Sequence, residues 1–187
     1  MNLKNFRKFM FLEELELMKD YYENSFIPHI DNGLKKTKQE QEVIFDESMA
    51  SVADEKDFDD SYFIDYYQEF VGKAEFLHYR MIGSAIVAII SLLEQQLREH
   101  GVASPTYRGH AIYKYRLLSN AIKHGDGHSF TEIEQSFPEL VKTDGFKYSS
   151  DFYKFITGYK PKVILNYDQS DIVKCCDEAI SFLKITL

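Results

Sequence analysis

The amino-acid sequence predicts an all-α protein, an antiparallel helical bundle of about five helices built around one long central helix. Three observations predict it. Apolar residues recur three to four positions apart along most of the 187-residue chain. Helix-end residues punctuate the pattern: Gly101 and Gly125 each follow an apolar period, and Pro105 lies just beyond the first of them. Only Val163, Ile164 and Leu165 read as an extended segment. The length fits one domain, 1–187, with N-terminal helices over 1–50 and a core bundle over 60–187 whose motif helix spans 110–124.

Each element follows from local pattern. Leu3, Phe6, Met10, Leu17 and Tyr21 lie near one face of a first helix. Pro28 interrupts that period and suits the first turn of a second helix. The stretch 32–41 is polar and basic, Val43, Ile44 and Phe45 restore apolar character, and acidic 47–60 reads as a loop or a frayed end. From 62 to 99 a stripe of Tyr62, Tyr66, Phe70, Phe76 or Leu77, Met81, Ile86, Ile90, Leu93 and Leu97 predicts one very long helix, about 57 Å at 1.5 Å per residue. Either Gly72 breaks it, or one end projects and packs against a partner. In the helix 110–124, Tyr113, Leu117 and Ala121 mark one face, with Leu118 and Ile122 adjoining. Ser129 and Glu132 have capping-box spacing and open a short helix that ends near Pro138. Residues 142–162 read as irregular. Asp168 or Ser170 caps a final helix through Leu183, with Ile172, Cys176, Ala179 and Leu183 inward. There is no internal repeat.

Composition narrows the functional classes. Hydrophobic residues make up 44% and charged residues 28%, so the chain is globular and not disordered. Fifteen Phe and thirteen Tyr with no Trp predict a core rich in aromatic rings. A net charge of −8 repels nucleic acid at long range, so any RNA contact must be local. Cys175 and Cys176 are adjacent and belong to no metal or redox spacing. The first twenty residues carry acids within their apolar stretch and do not form a signal peptide. The apolar run 81–93 is too short to span a bilayer and holds Gly83 and Ser84. A cytoplasmic protein without membrane association or cofactor is therefore expected. No phosphate-binding Gly-rich loop, GxSxG, HExxH or dinucleotide fingerprint is present.

The segment 116–127 carries the chemistry. Four residues advance a helix by about 400°, so Arg116, Asn120 and His124 fall on one stripe, each about 6 Å along the axis from the next. His124 sits in the last turn, where the helix dipole favours a cation. A solvated polar face produces the same pattern. His124, Asp126 and His128 alternate with glycines in a potential metal loop that lacks a fourth ligand, so no metal site is expected. Lys35, Lys36 and Lys38 form a basic cluster that suits either a solvated face or an RNA backbone. The aromatics Tyr148, Phe152, Tyr153, Phe155 and Tyr159 suit packing better than base stacking. His78 and Tyr79 read as core groups hydrogen-bonded across the bundle.

The string Asn120-Ala-Ile-Lys-His124-Gly, placed on a late helix after a long helical hairpin, resembles the HEPN superfamily, whose mark is an Arg, a polar residue and a His close together. The resemblance covers about a fifth of the chain closely. It implies a metal-independent endoribonuclease or toxin component in defence or RNA metabolism. His124 would act as general acid or base, Arg116 would stabilise phosphate charge, Asn120 would orient its neighbours and Lys123 would bind substrate phosphate. It also implies a homodimer whose interface includes this helix, an RNA substrate, and an antitoxin or defence partner. The family places four to six residues between Arg and His, whereas seven separate Arg116 from His124. That spacing keeps open the alternative of a non-catalytic bundle that binds RNA, a nucleotide or a protein.

Overall fold

Ile86, Ile89, Leu93 and Leu97 have no exposed surface, and they belong to one helix against which most of the chain packs. In the computed structural model, residues 3–52, 61–102, 105–124, 128–141 and 165–187 are described. They form α1 (Leu3–Tyr21), a π-helical segment (Tyr22–Phe26), α2 (Ile27–Val52), α3 (Ser61–Glu99), α4 (Ile112–His124), α5 (His128–Ser136), a 3-10 turn (Pro138–Leu140) and α6 (Gln169–Thr186). The fold is an all-α helical bundle. Its nearest approach to a sheet among the described residues is one antiparallel bridge between Val141 and Leu165. The rest of the segment 142–164, with its aromatic cluster, lies outside the described residues, as do 53–60 and the 125–127 loop.

The first two helices form one uninterrupted helical path. Pro28 lies in the first turn of α2, as its sequence context predicts, and the π segment directly precedes it. A proline cannot donate to the helical ladder, and a π turn is where that ladder changes spacing, so the two sit together at low cost. Tyr22 is buried there and packs edge-on against Phe26 at 5.3 Å. Acidic Glu47 to Val52 continue α2 and do not form a loop.

Two apolar stripes of the sequence lie on outer faces of the bundle. Leu3, Phe6, Met10, Leu17 and Tyr21 of α1 are all exposed. The helix is seated on α6 by its opposite side, through buried Leu15 with Phe11, Leu12 and Met18. Helix α1 is apolar on both sides, and periodicity alone cannot say which side meets the bundle. In the N-terminal half of α3, Tyr66, Phe70 and Leu77 are likewise exposed. The side that meets α2 is held instead by polar pairs: Lys38 with buried Glu75, and Asp31 with His78 at 2.6 Å. Phe45 and Tyr67 add a ring contact at 5.2 Å.

Helix α3 runs 39 residues without a break, and Gly72 is buried within it. Its N-terminal half does not need a partner molecule to cover one side, because α2 packs along it. Over Ile64–Glu99 it is long and apolar enough to cross a membrane, more than the 81–93 run suggested. In this fold its most apolar stretch, from Ile82 to Leu97, supplies core. The helix ends in a Schellman motif: Val102 N–H donates to Leu97 O at 2.9 Å, Gly101 N–H to Arg98 O at 2.9 Å, and Gly101 takes φ 84°. A side chain there would meet the steric penalty of the left-handed region.

The C-terminal elements close the bundle. Ser129 lies within α5, and the Glu132 carboxylate does not complete the expected capping box but binds Arg108 and Tyr113. Asp168 caps α6 and forms a full capping box with Asp171. Asp171 also accepts from the buried Tyr115 hydroxyl at 3.2 Å, which ties the start of α6 to α4. Ile172, Cys176, Ala179 and Leu183 are buried as the sequence predicts, and burial pushes the thiol of Cys175 well up and that of Cys176 to about 12.

Tyr167 stacks on Tyr79 at 4.3 Å between ring centres, and its hydroxyl lies only 2.4 Å from where a Cβ on Gly83 would stand. Gly83→Ala is therefore expected to destabilise the protein by about 1–3 kcal/mol, since an overpacked buried ring must shift. In urea titration the double variant Gly83→Ala/Tyr167→Phe should cost less than the two single losses added. Tyr115→Phe should cost about 1–2 kcal/mol, because it leaves a mostly buried carboxylate oxygen of Asp171 without its donor. An unchanged urea midpoint in Tyr115→Phe would show that water replaces the hydroxyl.

Candidate functional site

Helix α4 buries Ile112, Tyr115, Leu117, Leu118, Ser119 and Ala121, and this core face fixes where its polar stripe points. Arg116 and Asn120 are half-buried, while Lys123 and His124 are exposed. Eight residues of helix separate Arg116 from His124 by about 12 Å along the axis. Arg116 turns toward α3: its Nε donates to Glu94 Oε1 at 3.1 Å, and its guanidinium lies 4.7 Å from the centre of the Tyr107 ring. The side chains of Asn120 and His124 make no hydrogen bond among the described residues. The three residues share a helix face, and of them Arg116 is engaged toward α3.

Positions 117–119 lie on the same helix between Arg116 and Asn120. Leu117, Leu118 and Ser119 occupy them, with exposures of 3%, 0% and 0%. These positions face the core, so a catalytic cation could not reach the stripe from any of them.

Arg116 instead borders a cleft of about 530 Å³ between the end of α3, the segment 105–109 and the start of α4. Arg98 and Arg108 line the same cleft, so it gathers three of the five arginines in a chain of net charge −8. Two of the three are held by matching groups of Glu and Tyr. Arg116 has Glu94 and the Tyr107 face. Arg108 donates through Nη2 to Glu132 at 2.7 Å and through Nε to the Tyr113 hydroxyl at 3.3 Å, and lies 5.9 Å from the Tyr113 ring centre. Tyr113 also donates to Glu132. The Tyr113 hydroxyl, joined by the Arg108 guanidinium, holds the Glu132 carboxyl below its usual range.

Tyr107 forms the floor. It is buried and stacked on Phe182 at 5.0 Å. Burial pushes its phenol up to about 12, with the Glu94 carboxylate adding to the effect. Arg116 covers the ring, and its cation works against that rise, while the hydroxyl itself is buried. The Arg98 side chain is exposed and makes no ion pair or hydrogen bond among the described residues.

The other candidates fall to structural roles. Lys38 is spent on Glu75, and Lys36 lies 3.6 Å from Glu40 on an exposed face. His78 bonds Asp31 of α2, and Tyr79 donates to Leu165 O, so both are bundle contacts. No group of three or more His, Cys, Asp or Glu side chains among the described residues could hold a metal ion. His128 is exposed 3.7 Å from Glu132, and Asp126 lies outside the described residues.

The motif search passed over Glu94, Arg98, Tyr107, Arg108, Tyr113 and Glu132. Arg98 and Arg108 stand at a helix end and in a connection, where no periodicity marks them. The available signal was density, with three arginines of a lysine-rich chain falling within residues 98–116.

Compared with known proteins, the chain matches no family model, no curated protein and no solved structure.

Proposed function

We propose that this protein is a non-catalytic helical binding module of HEPN-like type, and that the site it uses is the arginine cleft beside α4. The carrying observation is the fate of Arg116. A guanidinium that must meet a phosphate beside His124 would have to leave both Glu94 and Tyr107, and the core-facing positions 117–119 offer no substitute. General acid–base work on a ribose hydroxyl needs its groups within hydrogen-bond reach of one reacting atom, and about 12 Å of helix rise does not supply that within one chain.

Mixed cellular RNA incubated with the purified chain should remain intact, both in EDTA and with a divalent ion. His124→Ala should leave that result unchanged. Metal-independent cleavage that disappears in His124→Ala, with products ending in 2′,3′-cyclic phosphate, would restore the endoribonuclease reading with Arg116, Asn120, His124 and Lys123 in the roles the resemblance implies.

A homodimer belongs to the same reading, but α1 is the surface that favours it. Helix α4 exposes no large hydrophobic side chain, whereas Leu3, Phe6, Met10, Leu17 and Tyr21 form an outer stripe within an arc of about 60° on α1. Exposed Arg7 precedes the stripe's midpoint, no acid occurs before Glu13, and Glu13, Glu14, Glu16 and Asp20 follow it. Two copies packed antiparallel through this stripe bring the basic half of each α1 against the acidic half of the other. Light scattering should give a dimer mass that Leu17→Glu reduces to the monomer with unchanged helical circular dichroism. A wild-type monomer at micromolar concentration would refute it.

A further inference from the structure

We propose that the outer half of the α2–α3 hairpin is a docking arm for a basic amphipathic helix of a partner protein, seated along an open apolar groove between the two helices. The arm is a different surface from the arginine cleft, and its role does not depend on the cleft.

The arm is two helices thick. Ile30 is the one buried residue of α2, and from Ser61 to Met81 of α3 only Gly72 and Glu75 are buried among the described side chains. Lys38 with Glu75, Asp31 with His78 and the Phe45–Tyr67 ring contact hold the seam. Two helices joined in this way do not enclose a core, so each keeps apolar surface that a third element would cover.

That surface is gathered on one side. Tyr66, Phe70 and Leu77 of α3 are exposed and lie within an arc of about 40°. The arc stands roughly 110° round the helix from the side that carries Tyr67, Glu75 and His78 to α2. Exposed Ile44 stands about 120° from the side of α2 that carries Asp31, Lys38 and Phe45, in the same rotational sense. The three seam contacts run in opposite directions along the two helices, so the pair is antiparallel, and offsets of the same sense fall on one face of it. Because Phe45 meets Tyr67, Ile44 stands level with the interval between Tyr66 and Phe70. The apolar line from Tyr66 to Leu77 is about 16 Å long, the length of three turns of a helix laid beside it.

Charge selects the occupant. From 39 to 52, α2 carries Glu40, Glu42, Asp46 and Glu47, from 61 to 70 α3 carries Asp65 and Glu69, and neither stretch has a Lys or Arg. Glu40 and Glu47 are the i−4 and i+3 surface neighbours of Ile44. Lys36 and Lys73, which border these stretches, are each engaged by an acid of this set. An acidic helix or an anionic lipid surface is repelled here, whereas Lys and Arg flanking an apolar helix face meet opposite charge. Such a helix completes a three-helix arm.

Isothermal titration calorimetry on the full chain tests this with synthetic peptides of about eighteen residues, long enough to form a helix on binding. The probes are a Leu/Lys peptide with Leu at helical spacing, a Leu/Glu peptide of the same pattern, and a Leu/Lys peptide reordered to strict alternation. The first should bind saturably, one per chain, gain helical circular dichroism on binding, and bind more weakly as salt is added. Phe70→Ser should weaken binding about ten-fold or more, and Glu40→Lys/Glu47→Lys should weaken it by a similar factor. All three positions are exposed, so the circular dichroism of both variants should match that of the wild type. Absence of binding by the helical Leu/Lys peptide overturns the inference. Binding that either variant leaves unchanged overturns it too, as does equal affinity for the Leu/Glu or the alternating peptide. A dimer mass in light scattering that Phe70→Ser reduces to the monomer would assign the face to a second copy, which also overturns it.

Discussion

The burial of one side of α3 between Ile82 and Leu97 is the constraint on which the rest depends. Ile86, Ile89, Leu93 and Leu97 are fully enclosed, α4 and α6 pack directly on their helix, and α1 is seated on α6. Burying such side chains contributes about 1.5–3 kcal/mol each, and together they outweigh the polar contacts of the bundle. The polar devices act on that frame as locks. The Schellman turn at Gly101 ends α3 where the cleft begins, and Asp171 joins the start of α6 to Tyr115 of α4. Both locks bear on the site, because they fix the two ends of the connection that carries Tyr107 and Arg108.

The cleft shows how an acidic chain can present a basic surface. Each of the two held arginines has a glutamate that sets its angle and a tyrosine that supports its plane. Ion pairs this exposed add little to stability; the side chain of Arg108 keeps 74% of its surface in solvent. Their effect is on geometry. A guanidinium already turned and supported loses less rotamer freedom on meeting an anion than a free lysine would. The same reasoning separates Arg116 from His124. Once Glu94 and Tyr107 hold Arg116 toward α3, the helix rise between the two residues becomes a functional distance and not merely a spacing in the sequence.

Much of the fold was legible in the sequence because it rests on strong local signals. The long α3, its end at Gly101, α4, and the Asp168 cap with Ile172, Cys176, Ala179 and Leu183 inward all follow from period and capping residues. The orientation of α1 was not legible, since Leu3, Phe6, Met10, Leu17 and Tyr21 make a better stripe than Phe11, Leu12, Leu15 and Met18, and only the surface of α6 chooses between them. The inward side of the N-terminal half of α3 was not legible for a related reason. Its inward contacts are Glu75 and His78, which a hydrophobic pattern counts as outward. Around the cleft, Arg116 was singled out in the sequence and its contacts were not. Glu94 lies 22 positions earlier on another helix, and Tyr107 belongs to a connection with no period at all.

That division explains why the two candidate sites differ in kind. The Arg116–Asn120–His124 stripe is a one-dimensional feature, produced by spacing along one helix, and spacing alone cannot bring three side chains to a single reacting atom. The cleft is a three-dimensional feature. Arg98, Tyr107, Arg108 and Arg116 come from the end of one helix, a connection and the start of the next, and they meet because α3 and α4 pack together. Convergence of groups from separate elements on one cavity is what ligand recognition requires. A polar stripe, by contrast, arises on any helix that shows one face to solvent. Arg116 belongs to both features, and its bonds commit it to the cleft.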